Sequence, residues 1–115
     1  MSYAIIGFGA VGQALARAFA RKNIEVAVAS RRPAEALVPQ AQAIGPMVIP
    51  RTLQEAMEAE VIFLAVLFEG HREVARALPS WQGKTVVDAM NGFEGLSTAD
   101  VAEAFPGARF VKGFN

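Results

Sequence analysis

The sequence predicts an α/β fold, a doubly wound parallel sheet of about six strands in the order 3-2-1-4-5-6 with helices on both faces. Three observations predict it. Short apolar runs alternate with segments of helical period from one end of the chain to the other. The central run, Val61 to Val66, is apolar at every position, as befits a strand buried on both faces of a parallel sheet. The first run ends directly in a glycine cluster that opens a helix, Gly7-Phe8-Gly9-Ala10-Val11-Gly12.

Tyr3 to Ile6 is the first apolar run and reads as a buried strand. Over 10–22 the apolar groups Val11, Leu15, Ala18 and Phe19 recur at helical spacing, and Arg21 and Lys22 suit the C-terminal end of the helix dipole. Ile24 to Ala29 is the second strand. Pro33 suits the first turn of a helix running to about Ala43. Met47 to Ile49, between two prolines, is a brief third strand. Thr52 caps the next helix, with Glu55 three residues on as its capping-box partner. A helix over 70–78 follows the fourth strand, Thr85 to Asp88 is the fifth, 98–105 is a short helix, and Ala108 to Val111 is the sixth strand. These elements fill the 115 residues, so a single domain over 1–115 is expected.

Composition narrows the function. Eleven basic and 11 acidic residues balance, so nothing in the net charge calls for nucleic acid or an anionic membrane. There is no cysteine and only one histidine, His71, which removes disulfide scaffolds, thiol catalysis and Cys- or His-rich metal sites. The longest wholly apolar run, Val61 to Phe68, is far short of the roughly 20 residues of a membrane span. With no basic n-region before the first strand, a soluble cytoplasmic protein is expected.

The glycine cluster is a G-x-G-x-x-G in the context that gives the pattern meaning: directly after a strand, directly before a helix, inside a βαβ unit. Gly7 permits the tight turn, Gly9 lets backbone approach a pyrophosphate, and Gly12 lets helix pack on strand. Phe8, Ala10 and Val11 complete the loop, whose free N–H groups face the phosphates. This is the Rossmann dinucleotide-binding pattern.

The second strand should end beside the adenosine ribose, where NAD-preferring domains carry Asp or Glu for the 2′-hydroxyl. Here the chain reads Ala29-Ser30-Arg31-Arg32-Pro33. Ser30 can donate to a 2′-phosphate, one arginine can pair with it, and the other can stack on adenine. A carboxylate there would repel that phosphate, and none is present, so NADP(H) is the expected dinucleotide. A solvated basic loop is the plainer alternative.

At the chemical end, Ala65 and Val66 are small or aliphatic and would let a nicotinamide ring lie against backbone. Asn91 is a candidate partner for the carboxamide, although Asn91-Gly92 is equally a turn signal. Asp88 suits a strand-end role better than acid catalysis. His71 suits the surface or a cap better than proton transfer. No catalytic residue is assigned.

Taken together, these segments resemble the NADP oxidoreductase, coenzyme F420-dependent family. The likeness rests on Ile5 to Gly12, on Ala29-Ser30-Arg31-Arg32 and on Phe63-Leu64-Ala65-Val66, then on Val87-Asp88-Ala89-Met90-Asn91 and the terminal Val111-Lys112-Gly113-Phe114-Asn115. The glycine loop is common to all Rossmann dehydrogenases; the Ser-Arg-Arg and the Phe-Asn are more specific. The resemblance implies hydride transfer between NADP(H) and a deazaflavin, a flavin-like partner or another small acceptor. It also implies that Gly7, Gly9, Gly12, Ser30, Arg31 and Ala65 contact NADP. Such chemistry needs two aligned rings more than a side-chain acid. The alternative is a non-catalytic NADP(H)-binding module with a redox-sensing or regulatory role, which the lack of an acid–base pair favours. A homodimer is the expected assembly, since it would complete an acceptor pocket and cover an open edge strand.

Overall fold

The computed structural model describes residues 1–66, 71–78, 80–89, 103 and 105–112. Six strands form one sheet in the order β3-β2-β1-β4-β5-β6, every adjacent pair parallel. They are β1 (Tyr3–Ile6), β2 (Val26–Ala29), β3 (Val48–Pro50), β4 (Val61–Leu64), β5 (Thr85–Asp88) and β6 (Arg109–Lys112). Among the described residues four helices lie between strands: α1 (Ala10–Arg21), α2 (Ala34–Ile44), α3 (Leu53–Ala56) and α4 (His71–Ala75). The predicted order is the observed one. Among the described residues no helix is long and apolar enough to cross a membrane.

Strand alternation builds two cores from one sheet. Ile5, Val26, Val28 and Val48 point to one face, where Leu15 and Ala16 of α1 and Leu37 and Ala41 of α2 cover them. Ala4, Ile6, Ala29, Ile62, Leu64 and Val86 point to the other, covered by Ala56, Met57, Val74, Trp81 and Phe105. The Trp81 ring meets Phe105 edge-on at 4.8 Å, and its indole N–H donates to the Ala75 carbonyl at 2.9 Å. That bond satisfies the one polar atom the ring brings into the core.

Several element ends differ from the sequence reading, and at the start of β2 a helix cap explains the difference. β2 begins at Val26 and not at Ile24. Asn23, at φ +57°, ends α1 in a left-handed cap: its N–H donates to the Ala20 carbonyl and that of Ile24 to the Phe19 carbonyl. This Schellman pattern uses up Ile24, which is partly exposed. Pro33 stands just ahead of α2 as its N-cap. β4 is regular only to Leu64, yet the Ala65 N–H still donates to the Ile6 carbonyl at 2.8 Å. The third strand runs Val48–Pro50, one residue later than expected, and the sixth Arg109–Lys112. The helix expected over 70–78 is regular over His71–Ala75. The helix expected over 98–105 lies outside the described residues, apart from Glu103 and Phe105.

The capping box at α3 forms as the spacing requires. Glu55 N–H donates to Thr52 Oγ1 at 3.2 Å, and Thr52 N–H to Glu55 Oε1 at 2.9 Å. The Thr52 backbone bond, then its hydroxyl, then the charge of Arg51 hold the Glu55 carboxyl below the ordinary glutamate value. A depressed folded-state pKa stabilises at pH values above the unfolded-state pKa, and that contribution is lost as pH falls through the folded value. Glu55 should therefore titrate below a free glutamate in an NMR pH series, and Thr52→Ala should return it part of the way. An unshifted Glu55 in the wild type would contradict the capping role.

Candidate dinucleotide site

Because all strands run the same way, their C-terminal ends share one edge of the sheet. The chain order reverses at β1, which sits between β2 and β4. Ligands of open α/β sheets lie in the crevice this reversal leaves. Gly7 to Gly12 stand at the end of β1, Ser30 to Arg32 at the end of β2, and Ala65 and Val66 at the end of β4. The topology thus brings three of the predicted segments to one rim. The fourth, at Asn91, lies outside the described residues.

Each glycine has its own environment. Gly7 has φ +101°, and a Cβ on it would stand 2.5 Å from the Ala65 carbonyl oxygen and 2.9 Å from Val66 N. The turn out of β1 is thereby locked against the end of β4, and the Gly7 N–H donates to the Ala29 carbonyl of β2 at 2.7 Å. A Cβ on Gly12 would run into the Gly7 carbonyl oxygen, so α1 starts in direct backbone contact with the turn. Gly9 differs: a Cβ there meets nothing within 4 Å.

Gly9 is also the N-cap of α1. No side chain caps that end, and no acid lies in its first turn. The first N–H groups of α1 therefore have no capping side chain, with the positive end of the helix dipole behind them. The absent Cβ at Gly9 leaves room for an anion of pyrophosphate type to reach those donors, so the residues present fit the group that the motif implies. Ala10 is exposed beside Gly9, and Val11 is half-buried against the core. The Phe8 side chain packs into the core at 5% exposure, which leaves its backbone to face the loop. Gln13, which sequence reasoning missed, donates its side-chain N–H to the Phe8 carbonyl at 3.0 Å and braces the loop from within α1. Its only signal is an amide side chain in the first turn after the motif.

At the end of β2, Ser30 Oγ accepts the Arg32 N–H at 3.1 Å, which closes a short side-chain turn. Arg31 Nε donates to Glu73 Oε2 of α4 at 2.7 Å. Glu73 was not foreseen; 42 residues separate the two, and nothing local in the sequence pairs them. Arg32 is exposed. Asp88 is buried at the end of β5, and His71 is the first residue of α4.

A family model described as NADP oxidoreductase coenzyme F420-dependent matches residues 2–92. The chain is 32% identical over 113 residues to a glycerol-3-phosphate dehydrogenase [NAD(P)+] of Bartonella bacilliformis, covering 91% of this chain and 36% of that protein. Its fold superposes on the crystal structure of the hypothetical protein SMa0349 of Sinorhizobium meliloti with a TM-score of 0.91 and 34% identity, covering 97% of this chain and 60% of that one. It also resembles a reductive aminase of Aspergillus terreus, solved in complex with NADPH and ethyl-5-oxohexanoate, with a TM-score of 0.74 and 26% identity over 95% of this chain and 38% of the aminase. The chain therefore spans between about a third and three fifths of the length of these relatives.

Proposed function

The chain belongs to the NADP oxidoreductase, coenzyme F420-dependent family, and from that premise we propose that its crevice binds NADP(H) and holds it for hydride exchange with a deazaflavin, a flavin-like partner or another small acceptor. The observation that carries the reading is the uncapped N-terminus of α1, open at Gly9 and clear of acids in its first turn. Backbone donors from Gly9, Ala10 and Val11 hold the pyrophosphate there, while Gly7, Gly12 and the buried Phe8 fix the shape of the loop. Ser30, Arg31 and Arg32 take the 2′-phosphate and the adenine face. Ala65 and Val66 offer a small, apolar wall to the nicotinamide, and Asn91 takes its carboxamide. Bound NADPH supplies a hydride; the protein's part is to orient the ring and keep the phosphates fixed. The NADPH seen in the aminase complex supports the choice of cofactor.

The test is paired titration with NADPH and NADH, by calorimetry, on wild type and Arg31→Ala. NADPH should bind at least about tenfold tighter, a gap of ~1.4 kcal/mol, and Arg31→Ala should erase most of that gap. Equal binding of the two nucleotides by the wild type would overturn the assignment to NADP(H). Oxidation of NADPH by a panel of deazaflavin and flavin acceptors then separates a reductase from a non-catalytic binding module.

A further inference from the structure

The Arg31–Glu73 pair is too exposed to be a folding contact. Its side chains retain 75% and 55% of their accessibility, and pairs of that kind add little to stability. Its geometry suits another purpose. Arg31 leaves the end of β2, Glu73 belongs to the helix that follows β4, and β1 lies between those strands. The pair thus reaches across the end of β1, over the same rim as the glycine turn. It is made through Nε alone, at 2.7 Å. Among the described residues the guanidinium has no other partner, so its two Nη groups stay available, with one N–H of each on the end edge of the fork.

We propose that Glu73 is a positioning residue for Arg31: it holds the guanidinium by Nε and presents the Nη edge to the 2′-phosphate of the dinucleotide. This rests on the NADP(H) reading of the crevice. An unrestrained arginine must give up its rotamer freedom when it binds phosphate; one already held gives up less. The anion of Glu73 also polarises the guanidinium from the side away from the ligand. Glu73 thereby contributes to discrimination between NADPH and NADH without touching either nucleotide.

The experiment measures NADPH and NADH affinity, and adenosine 2′,5′-bisphosphate against 5′-AMP, for wild type, Glu73→Ala, Glu73→Gln and the Arg31→Ala/Glu73→Ala double variant. Glu73→Ala should weaken NADPH and the bisphosphate about fivefold and leave NADH and 5′-AMP unchanged. Glu73→Gln, which keeps an acceptor for Nε–H, should recover most of the loss. The double variant should bind NADPH no more weakly than Arg31→Ala alone, because the effect of Glu73 passes through that arginine. Glu73→Ala binding NADPH as tightly as wild type, or more tightly, overturns the proposal; the carboxylate is then a bystander or a competitor for Arg31. Parallel loss of NADPH and NADH also overturns it, as the mark of a merely structural role. A wild type with no preference for the 2′-phosphate overturns the cofactor reading itself, and this positioning role with it.

Discussion

Gly7→Ala and Gly12→Ala should each lower the melting temperature by on the order of 10 °C or more, with or without nucleotide present. At Gly7 two costs add. The φ of +101° is unfavourable for any residue with a Cβ, costing about 1–2 kcal/mol. The new methyl would also press on the Ala65–Val66 peptide, which is backbone and cannot swing aside. Overpacking of that kind costs about 1–3 kcal/mol. At Gly12 the obstacle is the carbonyl of Gly7, so the methyl would pry α1 away from the turn it packs on. Against a typical domain stability of about 5–15 kcal/mol, either loss is large. Thermal and urea denaturation measure it, and an unchanged midpoint in either variant would refute the packing described for that glycine.

Gly9→Val should do the reverse, melting close to wild type while losing NADPH binding by about 100-fold. Its φ of −84° is open to any residue, and a Cβ there meets nothing within 4 Å. The expected structural cost is that of a poorer N-cap, on the order of 1 kcal/mol. On the proposed reading, the open space is where the pyrophosphate comes to reach the first N–H groups of α1. A branched side chain in that space removes charge-assisted hydrogen bonds worth about 1.5–3 kcal/mol each, so losing one or two of them accounts for the ~100-fold loss. Calorimetry with NADPH, beside a melting curve for the same sample, checks both halves. A Gly9→Val variant that binds NADPH normally would move the phosphates away from this loop. One that fails to fold would mean that Gly9 is a packing glycine like its neighbours. If both results hold, the three glycines of one motif divide into two that shape the loop and one that leaves room for the ligand.

Much of this was legible from residue order alone. Strand alternation, the all-apolar Val61 to Val66 and the glycine context together predicted the sheet order that is observed. Thr52 and Glu55 predicted their own capping box, because that device is local. Element ends were less legible, and at β2 the physical reason is that a cap competes with a strand for the same residue. Ile24 looks like the start of a strand, but its N–H is spent on closing α1. Side-chain pairs between distant segments were not legible at all. Glu73 has the appearance of any acid on an exposed helix, and only the fold brings it within 2.7 Å of Arg31. Gln13 likewise gives no sign that its amide braces the Phe8 carbonyl. Phe8 stood among the loop residues as a possible contact, yet its ring is an anchor in the core.

The indole of Trp81 is the chain's one tryptophan, sealed against Phe105 and bonded to the last residue of α4. Optically the molecule therefore carries a single indole emitter in dry surroundings, fixed to the helix that also carries Glu73. Reduced nicotinamide absorbs in the near-ultraviolet band where a buried indole emits, whereas the oxidised ring does not. Occupancy by the reduced cofactor would then dim the intrinsic emission by energy transfer, while unfolding would shift it to longer wavelength. If the proposed cofactor binds, one cuvette would follow folding and loading as separate signals without an added label.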